Sequence, residues 1–169
     1  METKAVISII SSVIVLAAIA GAAYYFLFYV GGDELKSDLE EGDFVEYTVT
    51  VDGLNSTLRH TITAVNGDGT YQVHKIEGSS EIDKTMTKSD FFKLLKMSGS
   101  DLNDLEKQTF TEKINTSFGE IRCKVYSGKV DGFGVKYDAK AYVGKDDVLY
   151  KAEIEGLITM TLKDTSLFD

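Results

Sequence analysis

The chain has no proline and one cysteine among its 169 residues. The lone cysteine, Cys123, excludes an intramolecular disulfide, so a folded domain must be stabilised by its hydrophobic core. The absence of proline excludes a stiff proline-rich stalk, and the turns must therefore come from glycine, asparagine and aspartate.

Basic residues are also few. The 18 lysines and arginines face 27 aspartates and glutamates, for a net charge of −9. This excess of negative charge argues against nucleic acid, or an anionic membrane surface, as a ligand of the folded part.

Charge is missing altogether from residues 5–30, a run of 26 residues. A helix of this length is about 39 Å long, which is enough to cross a hydrocarbon core of about 30 Å with some tilt. A cleaved signal peptide is the alternative, since Ala18-Ile19-Ala20 resembles a cleavage site. Cleavage would leave the aromatic stretch 24–30 as an exposed apolar N-terminus. In a retained span, the same aromatic residues would form the interfacial belt that is common at the end of a transmembrane helix. We therefore expect a retained signal-anchor helix that contacts the lipid bilayer.

The flanking charges predict the orientation of this span. Lys4 is the basic residue before it, whereas the segment after it is strongly acidic, and lysine and arginine favour the cytoplasmic side. We expect a single-pass protein of the cell membrane with a cytoplasmic tail (1–4), a span (5–30), a flexible acidic linker (31–42) and an extracytoplasmic β-rich domain (43–169).

Alternating apolar and polar residues dominate the rest of the chain. In 43–51, Val45, Tyr47, Val49 and Val51 alternate with polar residues, which is typical of a strand with one buried face. The same period of two predicts strands in 57–65, 70–77, 81–87, 118–126, 133–143, 148–155 and 158–162.

Asn66-Gly67 marks the clearest hairpin because both residues tolerate the positive φ angles of a type I′ turn. A loop at 66–67 sets Ile62 opposite Tyr71, and a loop at 67–68 sets it opposite Val73. Both registers keep apolar residues together, whereas a slip by one residue would set Ile62 against Gln72 and is rejected.

A helical period interrupts the strands near the middle of the chain. Ser89 is the expected N-cap and Gly99 the expected end, and a second short helix is predicted after Ser100, with Leu102 and Leu105 on its apolar side. The apolar stripe of the first helix is the candidate lining of a ligand site: Phe91, Phe92, Leu94 and Leu95.

No set of side chains in the sequence converges on a catalytic, cofactor or metal site. Both hairpin registers put His60 and His74 on opposite faces, and Cys123 falls in phase with buried residues, where a thiol is inert. No segment matches a twelve-residue calcium loop. We therefore expect no enzyme activity, no cofactor and no metal. Asn55 and Asn115 begin the sequons Asn55-Ser56-Thr57 and Asn115-Thr116-Ser117 and are candidate glycosylation sites.

Three resemblances accompany this pattern. The order of strands, helix and strands over 43–163 resembles half-barrel lipid carriers of the lipoprotein-sorting type, which implies a concave apolar cavity for acyl chains. Lys4-Ala5-Val6-Ile7-Ser8 before a long apolar helix is similar to archaeal type IV pilin-like proteins, although the usual proline is missing. The whole combination of anchor, acidic β-rich domain and sequons resembles uncharacterised archaeal single-pass surface proteins.

We therefore expect an α+β fold. An N-terminal transmembrane helix precedes a twisted antiparallel half-barrel-like meander of eight or nine strands, wrapped around one or two central helices. The predicted function is a membrane-anchored, non-enzymatic binding module for a lipid or other apolar ligand. The alternative is a surface or pilin-like filament subunit that assembles through its apolar helix.

Overall fold

The computed structural model describes residues 34–97, 105–132 and 134–168. The predicted cytoplasmic tail and membrane span lie outside these residues. Within the described part, the chain forms nine strands, one short α-helix and one 3-10 turn. These are β1 (Phe44–Val51), β2 (Leu54–Val65), β3 (Thr70–Glu77), β4 (Ser80–Thr87), α1 (Lys88–Phe92), β5 (Leu105–Thr116), β6 (Gly119–Gly132), β7 (Val135–Val143), the 3-10 turn (Lys145–Asp147), β8 (Leu149–Ile154) and β9 (Ile158–Thr165).

The strands form one open antiparallel sheet in the order β4-β3-β2-β1-β9-β8-β7-β6-β5. Strands β1–β4 make one meander and β5–β9 another, and the pairing of β1 with β9 joins them in the middle of the sheet. The prediction of an antiparallel sheet with eight or nine strands is confirmed, but the sheet is open and consists of two meanders instead of the single half-barrel-like meander that was expected. The fold is mostly β, with far less helix than the predicted α+β arrangement.

The two ends of the sheet are distinct. Val45 pairs with Thr165 at the entry end, where the described chain enters β1. Val51 pairs with Ile158 at the far end, which carries the β1–β2 and β8–β9 turns. Six residue steps along β1, from Val45 to Val51, at about 3.3 Å each separate the two ends by about 20 Å.

Alternation along β1 explains its position at the centre. Its apolar residues Val45, Tyr47, Val49 and Val51 are all buried and belong to the hydrophobic core. The opposite face of this strand carries Glu46, a buried carboxylate within 2.7 Å of both Arg59 and Lys163. The core face of β1 is fully buried and its opposite face is partly buried, as expected of a central strand.

The β2–β3 hairpin follows one of the two predicted registers and then departs from it. Ile62 lies opposite Val73, as expected for the later loop, and the rejected slip against Gln72 does not occur. A bulge after Ile62 then shifts the register, so that Val65 instead of Ala64 lies opposite Tyr71. The extra residue adds local twist near the loop.

A second layer comes from the hairpin of β5 and β6. Strand β7 ends at Val143, opposite Lys124, so the β6 residues before Lys124 pair with β5 and extend past the sheet. This arm folds back over the core, and the Ser117 hydroxyl donates to the Lys163 carbonyl at 2.5 Å. Phe118 at its tip lies edge-on to Tyr150 and Phe168, with ring centroids 6.2 and 5.1 Å away.

The central helix is shorter than predicted. It spans Lys88–Phe92, and its N-cap is Thr87 instead of Ser89, because the Thr87 hydroxyl accepts from the Asp90 amide. After Phe92 the backbone pairs with another segment: the Leu149 amide donates to the Leu95 carbonyl, and the Met97 amide to Asp147. The predicted end at Gly99 and the start of the second helix lie outside the described residues. Leu105, assigned to that helix, begins β5 instead.

Residues 34–43, here called the entry segment, are fastened to the domain. Leu35 forms a β-bridge with Phe168, and the Lys36 amide donates to the Leu167 carbonyl at 2.9 Å. Leu39 is 7% exposed and belongs to the core. The part of the expected flexible linker that the structure describes is therefore attached to the fold.

Candidate binding groove at the far end

An open groove of about 590 Å³ lies at the far end of the sheet. This volume falls within the range of small-molecule sites, roughly 300 to 1,000 Å³. Residues from the β1–β2 turn, β7 and the β8–β9 turn form its walls. They are Thr50, Asp52, Gly53, Asp138, Lys140, Glu153, Ile154, Glu155, Gly156, Leu157, Ile158 and Thr159.

Two tight turns shape the groove. Val51 pairs with Leu54, which leaves Asp52 and Gly53 as a two-residue loop with φ angles of 50° and 78°. Positive φ at both positions is the type I′ geometry, which aspartate and glycine tolerate. The β8–β9 turn is held against the neighbouring strand because the Glu155 amide donates to the Asp138 carbonyl at 2.8 Å.

Negative charge dominates the walls, which carry four carboxylates and one amine. Asp138 pairs with Lys129 at 2.8 Å, and Glu153 pairs with Lys151 at 2.6 Å. Asp52 and Glu155 make no ion pair within the described part of the chain, and both residues are exposed. These two carboxylates are therefore accessible to a positively charged group of a ligand.

Tyr142 lies behind the groove and is attached to it through Glu153. Its hydroxyl donates to the Glu153 carboxylate at 3.2 Å. Burial, reinforced by repulsion from Glu153, raises the pKa of Tyr142 to about 12. The phenol is therefore protonated at neutral pH and holds Glu153 in place as a donor.

The four residues proposed from the sequence as a ligand lining lie elsewhere, at the entry end. Phe91 and Leu95 are completely buried, and Phe92 and Leu94 are partly buried against the same core. The structure brings the four together around α1, as the helical period indicates. The side chains of Phe91 and Leu95 are enclosed by protein, and a ligand would have to displace core packing to reach them.

The two histidines lie on opposite faces of the β2–β3 ribbon, as both predicted registers require. His60 is buried on the core side opposite Lys75, whereas His74 contacts Asp83 at 2.7 Å on the other face. Burial, with the nearby charges of Lys84 and Lys75, lowers the pKa of His60 to about 3. His60 is therefore neutral at physiological pH.

Cys123 is completely buried in the arm, in phase with Ile121 and Val125. Burial raises the pKa of its thiol to about 12, so the reactive thiolate is scarce at neutral pH. Among the described residues, no group of three or more histidine, cysteine, aspartate or glutamate side chains is arranged to hold a metal ion.

The sequon asparagines are both accessible. Asn55 is exposed at the far end, where its side chain accepts a hydrogen bond from the Thr50 hydroxyl at 2.7 Å, and Asn115 is exposed in the arm. Both positions have room for a glycan.

Sequence reasoning did not identify the groove. Its residues come from three separate segments, and the polar positions in their alternation predict no more than the exposed side of each strand. Asp52-Gly53 and the acidic pair Glu153 and Glu155 were visible signals, but the pairing of β1 with β9 is what brings them together.

The chain matches no known family model, no curated protein and no solved structure. Within the described residues, no helix is long and apolar enough to cross a membrane.

Proposed function

We propose that this chain is a membrane-anchored, extracytoplasmic and non-enzymatic binding module that takes its ligand in the groove at the far end. The observation that carries the proposal is a groove of about 590 Å³ with two accessible carboxylates, Asp52 and Glu155. The uncharged run 5–30 supports the anchor and its orientation.

The charge of the groove favours a ligand with an ammonium or guanidinium group. Lys129 and Lys151 neutralise Asp138 and Glu153, whereas Asp52 and Glu155 make no ion pair within the described residues and can attract cations at an open site. Ile154 and Leu157 add partly buried apolar surface beside the carboxylates. A short basic peptide segment has both kinds of complementary surface.

The direction of the large pKa shifts supports a non-enzymatic role. Catalytic acids and bases work best with a pKa near the operating pH. Burial moves the pKa of His60 down to about 3 and that of Cys123 up to about 12, so both move away from neutrality. These shifts are the consequence of core packing.

The more specific expectation of a half-barrel for acyl chains has less support. It depends on apolar side chains lining an open cavity, and two of the four candidates, Phe91 and Leu95, are completely buried. The groove offers a more accessible site.

The test uses the full chain in phosphatidylcholine nanodiscs and titration calorimetry with tetralysine. We expect binding that weakens about fivefold to tenfold in the Asp52→Asn, Glu155→Gln double variant, since two exposed ion pairs are lost. Glu120→Gln, which removes an equally exposed carboxylate from the arm, is the matched control and should bind as the original chain does.

Tetraglutamate and oleate serve as the comparison ligands. Equal tetralysine binding by the double variant and the original chain would contradict the groove as the site. Binding of oleate without tetralysine would support the half-barrel carrier instead.

A further inference from the structure

The attachment of the entry segment to the domain indicates which face of the domain lies toward the membrane. Leu35 is fixed by its bridge to Phe168, and Lys36 by its backbone bond to Leu167. Both contacts lie where the described chain enters the domain, next to the 3-10 turn that Lys145 begins. The Lys145 ammonium lies 2.5 Å from the Glu34 carboxylate.

A buried ion pair reinforces this attachment. Asp43 is 2% exposed, and its carboxylate lies 2.5 Å from the Lys36 ammonium. It also accepts from the Glu40 amide and the Ser166 hydroxyl, each at 2.8 Å. Leu39 adds an apolar contact with the core. Detaching the entry segment would therefore expose a leucine and leave a charged side chain without its partners, which is costly.

The chain before the entry segment is too short to let the domain turn over. Five residue steps join position 30, the last residue of the predicted span, to Leu35. Fully extended, they reach about 18 Å at most. The far end lies about 20 Å beyond the entry end. With the span in the bilayer, Leu35 therefore stays within about 18 Å of the lipid surface, so the domain cannot stand upright with its far end toward the lipid.

We propose that the entry end, formed by the Leu35–Phe168 bridge and the Lys145–Asp147 turn, lies directly over the lipid headgroups. This orientation holds the groove about 20 Å farther from the membrane, open to the outside. The inference rests on the proposed membrane anchor, and it adds to it the face that meets the bilayer. The short connection keeps the entry end close to the bilayer, so this orientation does not require attraction between the acidic domain and charged lipids.

The test measures the distance of each end from the bilayer. In a Cys123→Ala background, a single cysteine replaces either Lys93, which is exposed at the entry end, or Ser79, which is exposed in the β3–β4 turn at the far end. Each full-length variant is labelled with a donor dye and reconstituted into phosphatidylcholine vesicles that contain an acceptor lipid. We expect much stronger energy transfer from position 93 than from position 79.

A lengthened connection provides the second variant. Twelve glycine and serine residues inserted between Gly32 and Asp33 extend the reach by about 40 Å, which exceeds the length of the sheet. The difference between the two positions should then shrink. The same insertion after Asp169 is the matched control and should leave the difference unchanged.

Flotation of the vesicles tests the membrane anchor separately from the orientation of the domain. A chain that does not float with the vesicles overturns the membrane anchor, and this orientation with it. A chain that floats but shows equal transfer from both positions overturns the orientation alone.

Discussion

Replacing Glu46 with glutamine should destabilise the domain by about 2 kcal/mol. The carboxylate is buried in the central strand β1, within 2.7 Å of Arg59 and of Lys163. Glutamine keeps the shape but loses the charge, and a hydrogen bond to a charged group contributes about 1.5 to 3 kcal/mol against about 1 for a neutral one. Arg59 and Lys163 are both partly exposed, so water can hydrate their charges in the variant. The loss of stability is therefore smaller than the cost of leaving a buried charge without its partner.

Thermal unfolding of the full chain in mild detergent measures this loss, followed by the near-ultraviolet circular dichroism of the nine tyrosines. For a domain of roughly 135 residues, the unfolding entropy near 60 °C is about 0.28 kcal/mol/K, so 2 kcal/mol lowers Tm by about 7 °C. Glu120→Gln in the exposed Lys113 pair is the control, with a change below about 2 °C.

The same variant gives a pH test with a definite sign. The Lys163 ammonium, together with Arg59, holds the pKa of Glu46 below its usual value despite the opposing effect of burial. A carboxylate with a lowered pKa stabilises the fold above its unfolded pKa of about 4.3, and this contribution disappears as the pH falls through the folded pKa. The original chain and Glu46→Gln should therefore differ at pH 7 and converge in acid. A Tm difference below 2 °C at pH 7, or one that grows in acid, would refute this account of Glu46.

Three further predictions concern the core. Phe118→Ala should lower the free energy of unfolding by about 2 kcal/mol, because it removes the ring that attaches the arm to the sheet. The control is Phe110→Ala, at a side chain that is 52% exposed, which should change stability by less than about 0.5 kcal/mol. Similar losses in the two variants would contradict the role of the arm. Because burial lowers the pKa of His60 to about 3, stability should fall by up to about 1.4 kcal/mol for each unit of falling pH between pH 6 and 3. His60→Leu should remove this slope between pH 6 and 5, where carboxylates such as Glu46 remain ionised; an unchanged slope in that window would assign it to other groups. Cys123 should resist iodoacetamide at pH 8 and react after denaturation; rapid labelling of the native chain would contradict its burial.

The strands that could be predicted from the sequence are those with one buried and one solvent-exposed face. In β1 from Val45 to Val51 and in β9 from Ile158 to Leu162, the alternation matches the observed burial, because every second side chain is apolar and faces the core. Strand β5 lacked such a signal. It lies at the sheet edge and carries mostly polar residues, so hydrogen bonding to β6 fixes it more than side-chain burial does.

The end of the helix and the position of the groove could not be predicted from the sequence, because both depend on tertiary contacts. The apolar spacing of Phe91, Leu94 and Leu95 fits a helix, and yet Leu95 bonds to β8 through its backbone. Tertiary pairing therefore overrides the local period. The groove depends on contacts between β1, β7 and the β8–β9 turn, which are distant in sequence and have no local pattern.

The pairing of β1 with β9 has a consequence for synthesis. Residue 51 ends one strand and residue 158 begins its partner, so the middle of the sheet stays incomplete until nearly the whole chain has been made. At about 5 to 20 residues per second, β1 waits roughly 5 to 20 seconds with one edge bare. Such an exposed edge is prone to pair with other chains, and the interval between the two strands is therefore the period in which this protein most needs a chaperone.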